Sequence, residues 1–401
     1  LLLLKERVGV SMVATLTPDL VGLSADQVML RDMARDFARK EIAPKAEHYD
    51  RANAFPWEVI NKAAEIGLTT LNIPEAYGGG GASVFEECLV GEELSWGCSG
   101  MSTALTVNNL STLPISLAGN ETQKKYWLGE RMVDGGQLAA YCVTEPGAGS
   151  NVSGMQTRAV KKGDKYILNG TKTFISNATV AGLYTVFAIT DPDSGHKGMS
   201  CFVVDRNTPG IKTSNHFDKL GQRASDTAEV VFEEAEIPAD SLLGAEGQGF
   251  YIAMKVFDKS RPGVGAGAVG VAQRALDECL RYSQERETFG TQIWQHQAVG
   301  QMIAKMATQI EAARALVHRA AKAVDSDDKD KTRLASMAKV FASDIAMEAC
   351  VDAVQVFGGY GFMREYPVEK LMRDVKVYQI YEGTSQIQRN IIMRELIRGG
   401  K

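Results

Sequence analysis

No stretch of this sequence stays apolar for the roughly 18 residues that a membrane-crossing helix needs. Positive charge is not in excess either. The net charge is -5 and the pI about 5.7, which excludes the broad basic field of a nucleic-acid binder but leaves room for a local basic pocket. Cysteine is sparse and scattered: Cys88, Cys98, Cys142, Cys201, Cys279 and Cys350 form no C-x-x-C pair. Free thiols in a reducing compartment are expected, not a disulfide frame. The histidines (His48, His196, His216, His296, His318) show no ligand spacing, and H-E-x-x-H is missing, so no metal site is expected. There is no G-x-S-x-G elbow and no glycine loop ending in Lys-Ser/Thr, which removes serine hydrolases and P-loop nucleotide hydrolases. The opening "LLLLKERVGVSMVATL" is too short and too charged for a secretory signal. A transit-peptide remnant, a cloning scar and a start at Met12 all stay open.

What is present is an ordinary globular composition, 45% hydrophobic and 23% charged, in 401 residues, enough for two or three cores. Three textures follow one another. From about 24 to 135 the spacing is helical, as in Leu30, Met33 and Phe37, with "ETQKKYW" as a helix start and "YGGGGAS" as a glycine loop. From about 137 to 246, "LYTVFAIT", "MSCFVV" and "EVVFEEAEI" read as strands, and Asn169-Gly170 in "KYILNGTKTFIS" is the strongest hairpin signal. From about 247 long helices return: Val299, Ile303, Met306, Ile310, Ala313 and Val317 form one buried stripe, and Asp325 to Lys329 a solvated connector. Without sustained βαβ alternation, a doubly wound parallel sheet is not expected.

Several motifs carry chemistry. "GAGAVG" (265–270) matches the dinucleotide fingerprint, yet helical spacing precedes it where a strand is required, so the nicotinamide reading is rejected in favour of close helix packing. "YCVTEPGAGSNVSG" suits either a loop whose N–H groups face an anion or ring edge, or a plain surface turn. Arg286 in "RETFG" is either a phosphate ligand or a helix-end cap, and "QVFGGYGF" either a helix stop or a close approach to a flat ligand. In "VYQIYEGTSQIQRNII" a lone carboxylate, Glu382, ends an apolar approach beside Gly383. Desolvation would raise its pKa and suit it to abstract a carbon-bound proton; the plainer reading is a solvent-facing residue before a helix capped by Thr384.

Taken together, "YCVTEPGAGSNV", "RETFG", "HQA", "QVFGGYGF", "EYPVEKLMRD" and "IYEGTSQIQR" resemble the acyl-CoA dehydrogenase family in order and spacing over nearly the whole chain, most closely its medium- and short-chain members. The resemblance implies an α+β multidomain fold: an N-terminal α-helical domain (1–136), a middle β-barrel (137–246) and a C-terminal four-helix bundle (247–401). It implies FAD, a homotetramer built as a dimer of dimers, electron transfer flavoprotein as oxidant, β-oxidation as the setting, and bacterial cytoplasm or mitochondrial matrix as the compartment. Glu382 would take the α-proton of an acyl-CoA while the β-carbon delivers hydride to flavin N5, leaving a trans-2,3-enoyl-CoA. The Glu382 N–H and a ribityl hydroxyl would polarise the thioester carbonyl. Tyr141, Cys142, Val143, Thr144, Gly149 and Ser150 would line the flavin, with Ser150 also reaching the CoA portion, and Phe174, Ile175 and Ser176 would flank the ring. Arg286, Thr288 and Phe289, with His296 and Gln297 nearby, would come from a neighbouring subunit to hold the phosphates and adenine. Gln355, Val356, Phe357, Gly358 and Gly359 would cover the adenosine end, and Thr384, Ser385 and Gln386 the pyrophosphate. Asp258, Lys259, Ser260, Arg261, Tyr381, Gly383 and Arg394 would serve the thioester and CoA.

The departures from the family are informative. Phe174 stands where many relatives carry Trp. Ser260 stands where some branched- and long-chain relatives place their base, which, with Glu382 present, disfavours those subclasses. Thr106 replaces the Glu typical of medium-chain members, while "VNN" (107–109) is closer to short-chain ones, so acyl length is open. An oxygen-using acyl-CoA oxidase and a non-catalytic CoA-ligand binder are the competing readings.

Overall fold

The computed structural model describes residues 22–399, so the N-terminal reading of residues 1–16 lies outside the described residues. Helices α1 (Ala25–Phe37), α2 (Ala46–Ala52), α3 (Trp57–Glu65), α4 (Val84–Gly97), α5 (Ser99–Ala118) and α6 (Glu121–Lys124) come first. Three of them start on reciprocal caps: Ser24 with Gln27, Ser83 with Glu86, and Asn120 with Gln123. Each satisfies two N–H groups that a helix start leaves free.

The strands are β1 (Ala139–Cys142), β2 (Arg158–Lys162), β3 (Lys165–Ser176), β4 (Leu183–Ile189), β5 (Met199–Asp205), β6 (Ile211–Thr213), β7 (Thr227–Pro238) and β8 (Leu242–Leu243). They join in the order β6-β7-β3-β2-β4-β5-β8, with β1 parallel to β4, as a barrel-like sheet whose two ends, β6 and β8, are not joined. Tyr184, Val186 and Ala188 of β4 face an interior cluster with Tyr166, Phe202 and Phe232. Leu183, Phe187 and Ile189 face the other way, onto Ile115 of α5 and Ile252 and Val256 at the start of the next helix. A strand buried on both faces loses polar alternation, which is why "LYTVFAI" reads as a continuous apolar run.

The hairpin expected at Asn169-Gly170 is not there. Both residues lie inside the unbroken β3, and the turn is formed by the two residues that directly follow β2, Gly163 and Asp164. The register against β7 shifts between Leu168 and Gly170, and a Cβ on Gly170 would sit 2.5 Å from the Thr157 hydroxyl. The glycine therefore serves a bulge and a close approach, which the same dipeptide advertises as readily as a turn.

Beyond the sheet come α7 (Gly249–Glu285), a two-residue hairpin of β9 (Glu287–Thr288) and β10 (Thr291–Gln292), then α8 (Gln297–Asp325), α9 (Lys331–Phe357), α10 (Val368–Val375) and α11 (Ser385–Gly399). The α8 stripe is buried as expected, Val299 only in part. The glycine-rich stretch of 265–270 lies inside α7 and packs helices tightly. A Cβ on Gly265 would meet Val317 at 2.9 Å, one on Gly267 the Tyr378 hydroxyl at 2.8 Å, and one on Gly270 the Glu92 carbonyl at 2.0 Å. Through these contacts α4 shares one core with α7, α8 and α9. Asp325 to Lys329 are exposed, as expected of a solvated connector, and Asp325 also accepts the Val84 and Phe85 N–H groups, which anchors the start of α4.

Candidate active site

Glu382 occupies the turn between α10 and α11. Its backbone is left-handed (φ 51°), as is that of Gly383 (φ 94°), a conformation that a non-glycine residue adopts only when its surroundings impose it. The surroundings do so. The buried Lys339 of α9 donates to the Gly383 carbonyl at 2.7 Å, and the buried Gln388 of α11 donates to the Glu382 and Gly383 carbonyls at 3.0 and 3.1 Å. Among the described residues the Glu382 N–H has no partner, while both neighbouring carbonyls are taken. The Ser260 hydroxyl of α7, 122 positions away in the chain, donates to Glu382 Oε2. Burial raises the Glu382 carboxyl above its ordinary value, opposed by the Ser260 bond and the charges of Lys339 and Arg261. Burial likewise pushes the Lys339 ammonium down to about 8.

Arg261 is buried, bonds Asp258 at 3.0 Å, and keeps a buried Nε without a partner; Arg394 of α11 is exposed and near enough to oppose its charge. Asp258 is further held by Thr332 at 2.7 Å. Tyr381 packs edge-on against Tyr378, with ring centroids 5.4 Å apart. Tyr141 of β1 is buried with an unpartnered hydroxyl, and its phenol is raised by burial, then by the charges of Cys201 and Glu382. The first strand thus brings its side chain into the neighbourhood of the carboxylate.

Next to it, the Thr173 N–H of β3 donates to the Thr144 carbonyl at 2.9 Å, joining the "TEPGAGS" loop to the strand that ends in Phe174 and Ser176. Phe174 is left-handed (φ 57°) and 68% exposed, a flat apolar face offered outward. Gly149 and Ser150 are exposed, and Val143 is buried beside Tyr141. Cys142 and Ile175 point the other way, into the sheet interior, so their side chains do not reach this face. Ser385 is also turned inward and bonds Asp344 of α9 at 3.1 Å, while Thr384 caps α11 by accepting the Ile387 N–H at 3.2 Å. Gln386 is exposed.

A second group gathers in a cleft of about 450 Å³ that Arg286, Thr288, Val356, Phe357, Gly358 and Gly359 help to line. A Cβ on Gly358 or Gly359 would meet nothing, so the floor is open backbone. Arg286 lies 5.6 Å from the Tyr360 ring centre, Phe357 stacks on Tyr282 at 4.0 Å, and Thr288 bonds His296 at 2.9 Å. Phe289 tips the β9–β10 turn, left-handed and 99% exposed; Gln297 and Gln355 are also exposed. None of the residues around Glu382 lines this cleft.

Three family models match in succession: the acyl-CoA dehydrogenase N-terminal domain over 24–135, the middle domain over 140–235 and the C-terminal domain over 247–397. The chain belongs to the acyl-CoA dehydrogenase family. It is 45% identical to an acyl-CoA dehydrogenase of Bacillus subtilis, over 94% of this chain and 99% of that one. It is 44% identical to cyclohexane-1-carbonyl-CoA dehydrogenase of Geobacter metallireducens, over 92% and 97%. The solved butyryl-CoA dehydrogenase from Megasphaera elsdenii superposes with a TM-score of 0.91 at 39% identity, over 94% of this chain and 99% of that one.

As an acyl-CoA dehydrogenase the chain is a flavin-dependent oxidoreductase that uses FAD. The residues present fit that cofactor: an open glycine floor beside a guanidinium suits its anionic end, and an outward-facing phenylalanine next to free loop backbone suits a flat ring. Four supporting residues escaped sequence reasoning. Lys339 and Gln388 clamp the Glu382 turn. The other two, Glu145 and Lys172, form a buried ion pair at 2.8 Å, in which Glu145 also accepts the Gln156 and Thr157 N–H groups at 2.6 and 2.9 Å. Burial alone would raise the Glu145 carboxyl; the Lys172 charge and the N–H bonds hold it below its usual range. The available signal was a lysine flanked by small and apolar residues, as in "SMAKVF".

Proposed function

We propose that the chain oxidises a straight-chain short- or medium-chain acyl-CoA to its trans-2,3-enoyl-CoA, with Glu382 as the base that removes the α-proton. The observation that carries this reading is the partly buried Glu382 carboxylate, steadied by the Ser260 hydroxyl on a turn whose two carbonyls are bound by Lys339 and Gln388. Raising its pKa by burial makes it a stronger base than a free carboxylate. With both carbonyls engaged, the Glu382 N–H is fixed in direction and available to the thioester oxygen, where charge develops as the α-proton leaves. Bound FAD supplies the acceptor for the β-hydrogen, which departs with its electron pair. Arg261 and Arg394 are the cations for the CoA end, and Asp258 holds Arg261 in place.

The flavin-facing residues fall into two groups, one around Tyr141, Phe174 and Glu382 and one in the Arg286–Gly359 cleft. That division supports a cofactor spanning two copies of the chain, each giving the cleft to its neighbour, within a homotetramer. Electron transfer flavoprotein is the proposed oxidant, and fatty-acid β-oxidation the setting.

Glu382→Gln should keep FAD bound while lowering the rate of flavin bleaching by acyl-CoA about 10²–10⁴-fold under anaerobic conditions. Undiminished bleaching in that variant would reject the assignment. Rapid peroxide formation on admitting air to the substrate-reduced wild type would instead favour an oxidase.

A further inference from the structure

Lys339 of α9 has no exposed surface, and an ammonium taken out of water needs an anion to balance it. Two other buried lysines meet that need by contact, Lys172 with Glu145 at 2.8 Å and Lys370 with Asp374 at 2.5 Å. Lys339 does not: among the described residues its bond is to a neutral group, the Gly383 carbonyl. The charges around it show where its counter-ion lies. Lys339 faces Glu382 from the turn, Arg261 from α7 and Asp344 from its own helix. Arg261 is matched by Asp258 at 3.0 Å. Asp344 is matched by Arg389 of α11 at 2.5 Å, with Gln379 and Ser385 on its other oxygen. Arg394 of α11 meets Glu395 at 3.2 Å. Lys305 and Arg314 of α8 pair with Glu348 and Glu92, and Lys370 and Arg373 of α10 with Asp374 and Asp50. At this turn one cation, Lys339, and one anion, Glu382, are left to balance each other.

We propose that Lys339 is a positioning residue for the reaction, the counter-charge that keeps Glu382 ionised without occupying its carboxylate oxygens. The inference rests on the reading of Glu382 as the base. A contact ion pair would balance the charge equally well, but an ammonium on a carboxylate oxygen covers the lone pair that must receive the α-proton. Bonded instead to the carbonyl of the next residue, Lys339 leaves Glu382 Oε1 free, while Oε2 takes the Ser260 hydroxyl. Burial pushes both groups toward their neutral forms, Lys339 down to about 8, and the charge of each opposes the loss of the other's.

The test is the pH profile of kcat/KM for butyryl-CoA in FAD-loaded wild type, Lys339→Gln and Lys339→Met. Glutamine keeps a donor for the Gly383 carbonyl but no charge; methionine keeps only the apolar stem. In both, the acidic limb should move up by about one pH unit or more, the effect of losing a nearby opposite charge. On that limb kcat/KM should fall about tenfold for each unit of displacement, and the deficit of Lys339→Gln should shrink as pH rises toward about 9. A lysine that merely props the turn would cost activity equally at every pH. Flavin absorbance per chain checks that the variants fold, and Lys339→Gln decides where Lys339→Met does not. A limb that stays put or moves down in Lys339→Gln, or an equal loss at every pH, overturns the proposal. Glu382→Gln reads the underlying assignment separately. If that variant bleaches like wild type, the base lies elsewhere; if it does not and the lysine limbs stay put, the role of Lys339 alone falls.

Discussion

A carboxylate becomes a useful base when its environment, not its identity, is unusual. Glu382 is a case where two opposing influences can be separated. Burial raises its pKa and the Ser260 hydroxyl lowers it, because that bond is to the ionised form. In the proposed role Glu382 must be ionised to act, so kcat/KM should climb with pH through a folded-state pKa above 4.5. Ser260→Ala removes the opposing bond, and the acidic limb of the profile should move to higher pH; a limb that stays put or moves down would show that the hydroxyl does not face the ionised carboxylate. Lys172 gives a second prediction at this scale. Lys172→Met would leave Glu145 buried with an unpaired charge, a loss of about 3–5 kcal/mol in unfolding free energy measured with urea. Flavin content should fall with it, because Glu145 ties the loop at 145–157 to β3.

At the scale of elements, the decisive quantity is how closely backbones approach. Gly270 stands where α7 meets α4, and a methyl group there would overlap the Glu92 carbonyl at 2.0 Å. A carbonyl of a packed helix cannot rotate away, so Gly270→Ala should cost about 1–3 kcal/mol and lower Tm, and an unaltered Tm would contradict this packing. The same closeness explains why a glycine-rich string that imitates a dinucleotide loop is a helix seam. Gly170 repeats the lesson in the sheet: its missing side chain makes room for Thr157, so the Asn-Gly pair marks a bulge inside β3.

At the scale of the whole molecule, exposed apolar groups cluster around the Arg286 cleft. Phe289 is 99% exposed and Phe362 81%, a poor arrangement for a chain that meets only water. On the proposed assembly a neighbouring copy covers them and contributes its flavin-ring residues. Phe289→Asp should then lower the sedimenting mass and the flavin absorbance per chain together, with helical content retained. Loss of neither would leave the cleft without a partner.

Much of the architecture was legible in the chain. The α8 stripe, the helical character of 247–285 and the β-rich middle follow from periodicity, because each side chain's face is fixed by local geometry. The motif strings, set in order, were enough to suggest the family. What the sequence could not state is which distant residues meet: Ser260 with Glu382, Lys172 with Glu145, Gln388 with the turn six residues before it, Glu87 with Asn109. It also could not tell that Cys142, Ile175 and Ser385 turn inward, since strand parity and helix rotation depend on the neighbours they pack against. Local pattern determined the elements and named the carboxylate. Tertiary packing alone decided that this carboxylate is partly desolvated and held, because desolvation and long-range hydrogen bonds arise only when separate helices pack around the same few atoms.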